Sequence, residues 1–143
     1  MILFHGSNMN IEAIDLNKCH LYKDFGRAFY LTEDREQALV VANARVSLFG
    51  GEPVINEYEF DESKLTNDTL QFCRFEGYTE DWADFIFMHR DDNIVPPYMH
   101  GFDVVYGSDT YAALSRPDTG LYFQSTGYVM QYLMHEIRTG RMG

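Results

Sequence analysis

The sequence predicts an α+β fold, because segments with strand-like and helix-like patterns both recur along the chain. Short runs rich in β-branched and aromatic residues predict strands, and they lie at 2–4, 29–32, 53–61, 70–75, 102–107 and 121–124. Capping residues followed by acids predict helices at 33–49 and after Thr79, and a third helix is predicted at 128–138. Strands and helices therefore share one fold.

Length and composition predict a single folded domain over residues 1–143. Hydrophobic residues make up 45% of the 143 residues and aromatic residues 15%, which is enough for a core. No apolar run approaches the ~18 residues of a membrane span, and no secretory signal is visible. Cys19 and Cys73 are too few for a disulfide scaffold, so we expect a cytoplasmic protein without a membrane partner.

The net charge of −11 bears on the class of partner. A strongly acidic protein lacks the basic surface that follows a nucleic-acid backbone. The charge favours a protein or another basic partner, although a local patch would still permit a nucleic-acid substrate.

The first candidate site residues end the first predicted strand. Ile2, Leu3 and Phe4 favour a strand, which brings His5 to its end before Gly6 and Ser7. Gly6 lacks a Cβ, so its backbone can approach a flat ligand closely, and Ser7 adds a hydroxyl. A strand that ends in an ordinary turn, with His5 as a buried structural histidine, is the alternative interpretation.

A second run, residues 25–32, ends in the same manner. Gly26 predicts a turn, and an alternating aromatic and aliphatic strand follows it and carries Tyr30 near its end. Thr32 precedes several acids, which predicts that its hydroxyl caps the next helix.

These two runs together resemble the ADP-ribosyltransferase fold of the His–Tyr–Glu type, the branch that contains the poly-ADP-ribose polymerases. More closely, the chain is similar to a family of small bacterial proteins of unknown function with that fold. Residues 56–61, 82–86 and 102–107 also match that family in order, so the resemblance covers roughly residues 1–108. Ala28 stands where the family usually has a second glycine.

The resemblance implies a split, mixed and antiparallel sheet with flanking helices, and NAD as the substrate. His5 would bond the adenosine-side ribose, the Gly6 backbone would hold the nicotinamide carboxamide, and Ser7 would support that pocket. Tyr30 would stack on the nicotinamide ring. Arg27, in the second motif, is included among the expected NAD-binding residues.

The third catalytic residue of the family is a Glu or Gln at the start of a late strand. A carboxylate there stabilises the oxocarbenium charge on C1′ through the ribose 2′-hydroxyl, whereas a Gln can only orient the sugar. Strict alignment on Tyr122 and Phe123 places Leu121 there, and a displaced strand places Gln124. We favour Gln124. If residues 128–141 instead match a helix that precedes the final strand of the relatives, this residue is absent or comes from another element.

Other polar residues are expected to be structural. Glu57 and Glu59 are interpreted as the solvated face of a strand. For Asp103, the resemblance to the family implies a structural role as the anchor of a neighbouring loop. Cys19 and His20 have no second pair at ligand spacing, so no metal site is predicted.

The resemblance implies a mono-ADP-ribosyltransferase that modifies a macromolecule, with a protein acceptor favoured over a nucleic acid. Small bacterial proteins of this kind are often toxins or phage-conflict factors, so an antitoxin-like partner is also expected. Leu121 and Ala28 favour the alternative, a catalytically impaired module that binds NAD, ADP-ribose or a protein. A hydrolase or nuclease ranks last, because no nucleophile–base pair is visible.

Overall fold

A computed structural model of the protein describes residues 1–21, 23–67, 69–107, 109–113 and 122–128. These residues form strands and a few helices, which confirms the α+β fold. The elements in chain order are β1 (Ile2–Ser7), β2 (Phe29–Leu31), α1 (Arg35–Phe49), β3 (Val54–Phe60), α2 (Ser63–Thr66), β4 (Phe72–Arg74), α3 (Glu80–Arg90), β5 (Val104–Gly107), β6 (Thr110–Ala113) and β7 (Phe123–Tyr128).

The chain divides into two compact units. The first contains the described residues of 1–12, 32–60 and 124–128, and the second those of 13–31 and 61–123. The prediction of one domain over 1–143 stays a prediction. The predicted loop at 115–120, Leu121 and the predicted helix beyond residue 128 lie outside the described residues.

The sheet of the first unit has the strand order β1-β3-β7. Strands β1 and β3 are antiparallel, in a register that runs from Ile2 opposite Glu59 to Ser7 opposite Val54. The terminal amine of Met1 extends this ladder, because it donates to the Phe60 carbonyl at 2.7 Å. The Phe60 amide donates back to the Met1 carbonyl at 2.9 Å, so Met1 and Phe60 are a hydrogen-bonded pair.

Helix α1 begins two residues later than predicted. Asp34, not Thr32, is the N-cap, and its carboxylate accepts from the amides of Glu36 and Gln37. Thr32 is instead held in a backbone bridge to Phe4, and its hydroxyl accepts from the Asp34 amide. The helix ends at Gly50 as predicted, with φ of 79° that favours glycine.

Helix α1 packs directly on Gly6. A Cβ added to Gly6 would lie 1.9 Å from the carbonyl oxygen of Ala38 and 2.7 Å from the nitrogen of Ala42. Both alanines are buried, and Ala38 forms a core with Ile55. Small residues on both sides thus allow the backbone of the helix to reach the backbone of the strand.

The two faces of β3 differ in composition. Alternation places Val54, Tyr58 and Phe60 on one face, and Ile55 on the other face with Glu57 and Glu59. Ile55 is buried although it shares a face with Glu57 and Glu59, because α1 covers this end of the sheet and packs on Ile55.

The sheet of the second unit has the order β2-β6-β5-β4, with β4 and β5 parallel and the other pairs antiparallel. One transverse row of this sheet consists of Cys73, Val105, Ala112 and Tyr30. These residues belong to a core cluster whose other members are Phe25, Ala28, Phe75, Trp82, Phe85, Ile86 and Phe102.

Several local predictions for the second unit are confirmed. Thr79 caps α3, because its hydroxyl accepts from the Trp82 amide at 3.2 Å. Trp82, Phe85 and Ile86 pack into the core from that helix. The buried carboxylate of Asp103 accepts from the Gln71 amide at 2.7 Å, so it anchors a neighbouring loop as expected.

Other local predictions were wrong. Strand β6 and the short helix α2 were not predicted, and β2 is limited to Phe29–Leu31. Strand β7 continues through Tyr128, where a helix was predicted to begin. Among the described residues, no helix is both long enough and apolar enough to cross a membrane.

The substitution Gly6→Ala is expected to lower the free energy of unfolding by about 3 kcal/mol or more, because its methyl group would overlap the backbone of α1. Urea unfolding monitored by circular dichroism measures the change. Gly101→Ala is the matched control, since a Cβ at Gly101 meets no atom within 4 Å in the described structure. Equal stability of the two variants would contradict the packing described for Gly6.

Candidate functional site

The predicted site residues divide between the two units. His5, Gly6, Ser7 and Gln124 belong to the first unit, and Arg27 and Tyr30 belong to the second. Each group is described within its own unit.

The backbone N–H and C=O groups of successive residues in β1 point alternately to the two edges of the strand. Since Met1 bonds to β3, the other odd-numbered residues of the strand also direct their amides and carbonyls to β3. Phe4 points the other way, donating to the Thr32 carbonyl at 2.8 Å and accepting from the Thr32 amide at 2.9 Å. Gly6, two residues further on, therefore directs its N–H and C=O to the same outer edge as Phe4.

Strand β1 is an edge strand of the described sheet, whose order is β1-β3-β7. On the edge away from β3, the bridge at Phe4 pairs the strand with Thr32. Gly6, which is buried, directs its backbone amide and carbonyl to this same edge. The two groups are a donor and an acceptor side by side, which is the arrangement that an amide group can bind.

Asn56 fixes the strand end and the loop that follows it. Its side-chain amide donates to the carbonyls of His5 at 3.4 Å and Met9 at 3.1 Å, and its oxygen accepts from the Ile11 amide at 2.8 Å. Tyr58 adds a bond from its hydroxyl to the Ile11 carbonyl at 2.6 Å. Asn56 is 0% exposed, so these bonds lie in the core of the unit.

Sequence reasoning missed Asn56. The available signal was a polar amide between apolar residues of a predicted strand, at a position where alternation points inward. Buried amides of this kind almost always satisfy neighbouring backbone groups.

Gln124 lies on β7, with its side chain exposed. Strand β3 separates β7 from β1, so the backbones of β1 and β7 lie roughly 10 Å apart at neighbouring strand spacings. Ser7 is buried at the end of β1. His5 is partly exposed on the same strand.

Tyr30 is held through its hydroxyl in the second unit. The hydroxyl accepts from the Phe25 amide at 3.0 Å and donates to the Gly26 carbonyl at 2.8 Å. Its ring stacks against Phe25, with 6.4 Å between centroids and 20° between planes. Burial raises the pKa of this phenol above its ordinary value, so the hydroxyl stays protonated.

The loop before Tyr30 also carries charged groups. Arg27 is exposed. Arg90 at the end of α3 forms an ion pair with Asp24. Within the described residues, no group of three or more His, Cys, Asp or Glu side chains is placed to hold a metal ion.

Replacing the buried Asn56 with Ala is expected to lower the free energy of unfolding by about 2–4 kcal/mol, because the Ile11 amide and the Met9 carbonyl lose their hydrogen-bond partner. Asn43→Ala on the exposed side of α1 is the control, with an expected change within about 0.5 kcal/mol. Chemical denaturation of both variants makes the comparison, and similar midpoints would contradict the role of Asn56.

Comparison with known proteins identifies the family of this chain. A comparison with curated proteins gave no match. Residues 1–133 match the model of a family described as "Protein of unknown function (DUF3990)". The match covers most of the chain, and the protein therefore belongs to this family.

Proposed function

We propose that the protein is a mono-ADP-ribosyltransferase with the ADP-ribosyltransferase fold, and that it binds NAD through His5, Gly6 and Tyr30. The observation that carries the proposal is the direction of the Gly6 backbone, whose N–H and C=O point to the outer edge of β1 and away from β3. This donor and acceptor complement the C=O and NH₂ of a nicotinamide carboxamide. In the proposal, a bound carboxamide forms one hydrogen bond with each of them.

The order of the chain supports a role for Tyr30. Thr32, which bridges to Phe4, follows Tyr30 by two residues. The motif that carries Tyr30 therefore ends at the residue that pairs with β1. In the proposal, Tyr30 stacks on the ring whose carboxamide Gly6 binds.

The state of Tyr30 also suits stacking. Its hydroxyl is bound on both sides, to the Phe25 amide and the Gly26 carbonyl, so the ring orientation is fixed. The nicotinamide of NAD is a cation, and a neutral aromatic face attracts cations through its quadrupole.

The proposed reaction breaks the bond between C1′ and the nicotinamide nitrogen. Nicotinamide leaves with the bonding electrons, a nucleophile of the acceptor attacks C1′, and the acceptor loses its proton to solvent or a base. His5 and Ser7 orient the NAD, and Arg27 is proposed to bind its phosphates. Gln124 is proposed to orient the nicotinamide ribose without supplying a negative charge, which suits transfer of a single unit.

A second candidate is a binding module that retains the NAD or ADP-ribose site but not turnover. The specific observation in its favour is the composition of β7, which contains no Asp or Glu between Phe123 and Tyr128. Without a carboxylate, the positive charge that develops on C1′ loses its strongest stabilising partner.

The acceptor proposed for the transferase is a protein, since the net charge of −11 attracts basic surfaces. A nucleic-acid acceptor is the alternative. By resemblance, we propose a cytoplasmic bacterial toxin or phage-conflict factor whose partner is an antitoxin-like protein.

Incubation with labelled NAD and a cell lysate tests the transferase. Wild-type protein is expected to transfer label to macromolecules, and His5→Ala and Tyr30→Leu are each expected to lower the initial rate at least about tenfold. His20→Ala and Tyr78→Leu are the matched controls, because both side chains are exposed. Digestion of the products with protease or nuclease identifies the acceptor class.

The outcomes separate the two candidates. Raised thermal stability with NAD, lost in His5→Ala but without transfer by the wild type, supports the binding module. Absence of both transfer and stabilisation contradicts both functions. A Gln124→Ala variant with wild-type transfer would remove Gln124 from the mechanism.

A further inference from the structure

The loop at residues 23–28 is held by side chains from outside the loop. The Tyr30 hydroxyl binds the Phe25 amide and the Gly26 carbonyl, at 3.0 Å and 2.8 Å. His100 binds the remaining polar group of Phe25, its carbonyl, through Nε2 at 3.0 Å. The backbone of Phe25 is therefore fixed from two directions, by Tyr30 and by His100.

The hydrogen bonds of His100 define its protonation state. The Phe102 amide donates to Nδ1 at 3.2 Å, so Nδ1 carries a lone pair. Nε2 must then carry the proton that it donates to the Phe25 carbonyl. A second proton on Nδ1 would turn the acceptor of Phe102 into a donor and break this bond.

His89 adds a second neutral imidazole beside the first. Its Nδ1 lies 2.7 Å from the Phe85 carbonyl, so Nδ1 carries the proton. Its Nε2 is buried and has no hydrogen-bond partner among the described residues. The centroids of the His89 and His100 rings lie 5.2 Å apart. A Cβ added at Gly26 would lie 3.0 Å from Cδ2 of His89.

The charged and titratable groups around this pair are few in the described structure. Asp103 lies on the His100 side, and its carboxylate binds the Gln71 amide. Tyr98 packs on His89, with 4.8 Å between ring centroids. The loop contributes Asp24, paired with Arg90, and Tyr30.

These surroundings favour neutral rings. Burial lowers the pKa of His100 below its ordinary value, and the neighbouring His89 lowers it further, while backbone bonds and Asp103 act in the opposite direction. Burial also lowers the pKa of His89.

We propose that His100 is a positioning residue for Tyr30, because its neutral ring holds the Phe25 carbonyl and so fixes the loop to which the Tyr30 hydroxyl is bound. Protonation of Nδ1 removes the acceptor of the Phe102 amide, which orients the ring, and so loosens the loop in acid. The consequence for NAD rests on the proposed function, but the consequence for the loop does not.

The direction of the pH effect follows from the lowered pKa. Above the ordinary histidine value of 6.5, both folded and unfolded forms are neutral and the bonds of His100 are complete. As the pH falls below 6.5, the unfolded chain binds protons first, and stability declines. Below the folded pKa the ring itself is protonated and the Phe102 bond is lost.

Amide hydrogen exchange of Phe25 by NMR tests the proposal, with rates corrected for their intrinsic pH dependence. In wild-type protein, protection is expected to decrease as the pH falls from about 8 to about 5. His100→Gln is expected to show protection that changes little with pH, because its amide can still donate to the Phe25 carbonyl and does not titrate. His100→Leu is expected to lower protection at least about fivefold at every pH.

Two controls isolate the effect. His20 is exposed, so the variant His20→Gln is expected to show the wild-type dependence of Phe25 protection on pH. The Thr32 amide, bound to Phe4 in the first unit, serves as an internal reference. Wild-type protection that does not change with pH, or His100→Leu protection equal to wild type, would overturn the proposal.

Transfer assays on the same variants separate this proposal from the proposed function. If transfer occurs, kcat of the wild type is expected to decrease in acid more steeply than kcat of His100→Gln. If no variant transfers label but the protection pattern is as expected, positioning of the loop is supported and the transferase is contradicted. If transfer occurs and the two pH profiles of kcat coincide, the positioning role is contradicted.

Discussion

The alternating backbone of β1 is the constraint on which the first unit depends. The odd-numbered residues of β1 direct their backbone N–H and C=O groups to β3, as the paired hydrogen bonds of Met1 and Phe60 indicate. Its even-numbered residues face the outer edge, where Thr32 occupies the position at Phe4. A change of register by one residue would exchange these edges and direct the N–H and C=O of Gly6 to β3.

Gly6 therefore contributes both to the fold and to the proposed site. The absence of a side chain allows α1 to pack against the strand, with Ala38 and Ala42 at the contact. The same residue directs its amide and carbonyl to the outer edge of β1. A substitution at Gly6 consequently tests the fold and the proposed site together, so His5, whose side chain is partly exposed, is the better residue for testing function.

Sequence patterns predicted the elements that depend on local signals. Strands β1 and β3, the capped helix after Thr79 and the end of α1 at Gly50 follow from alternation, capping and glycine chemistry. Strand β6 was not recognised, because its alanines have no strand preference and are specified by burial against β5 and β2. Thr32 was misassigned as the cap because its bridge to Phe4 is a tertiary contact.

The candidate site shows the same division. The motifs predict His5, Gly6 and Tyr30 as site residues, and this stays a prediction. Neither the three bonds of Asn56 nor the contact of His100 with Phe25 has a local signature. These contacts join residues at least 45 positions apart in the chain. Residues that support a site through such contacts emerge only when the chain is folded.

An NMR titration of isotope-labelled protein with nicotinamide alone tests the proposed use of Gly6 most directly. If the proposed site is correct, the Gly6 amide and the Tyr30 ring resonances shift together and give one dissociation constant. His5→Ala is expected to leave this binding largely intact, because His5 is proposed to contact the adenosine-side ribose that nicotinamide lacks. A Gly6 amide that does not shift at saturating nicotinamide would contradict the proposed use of this edge.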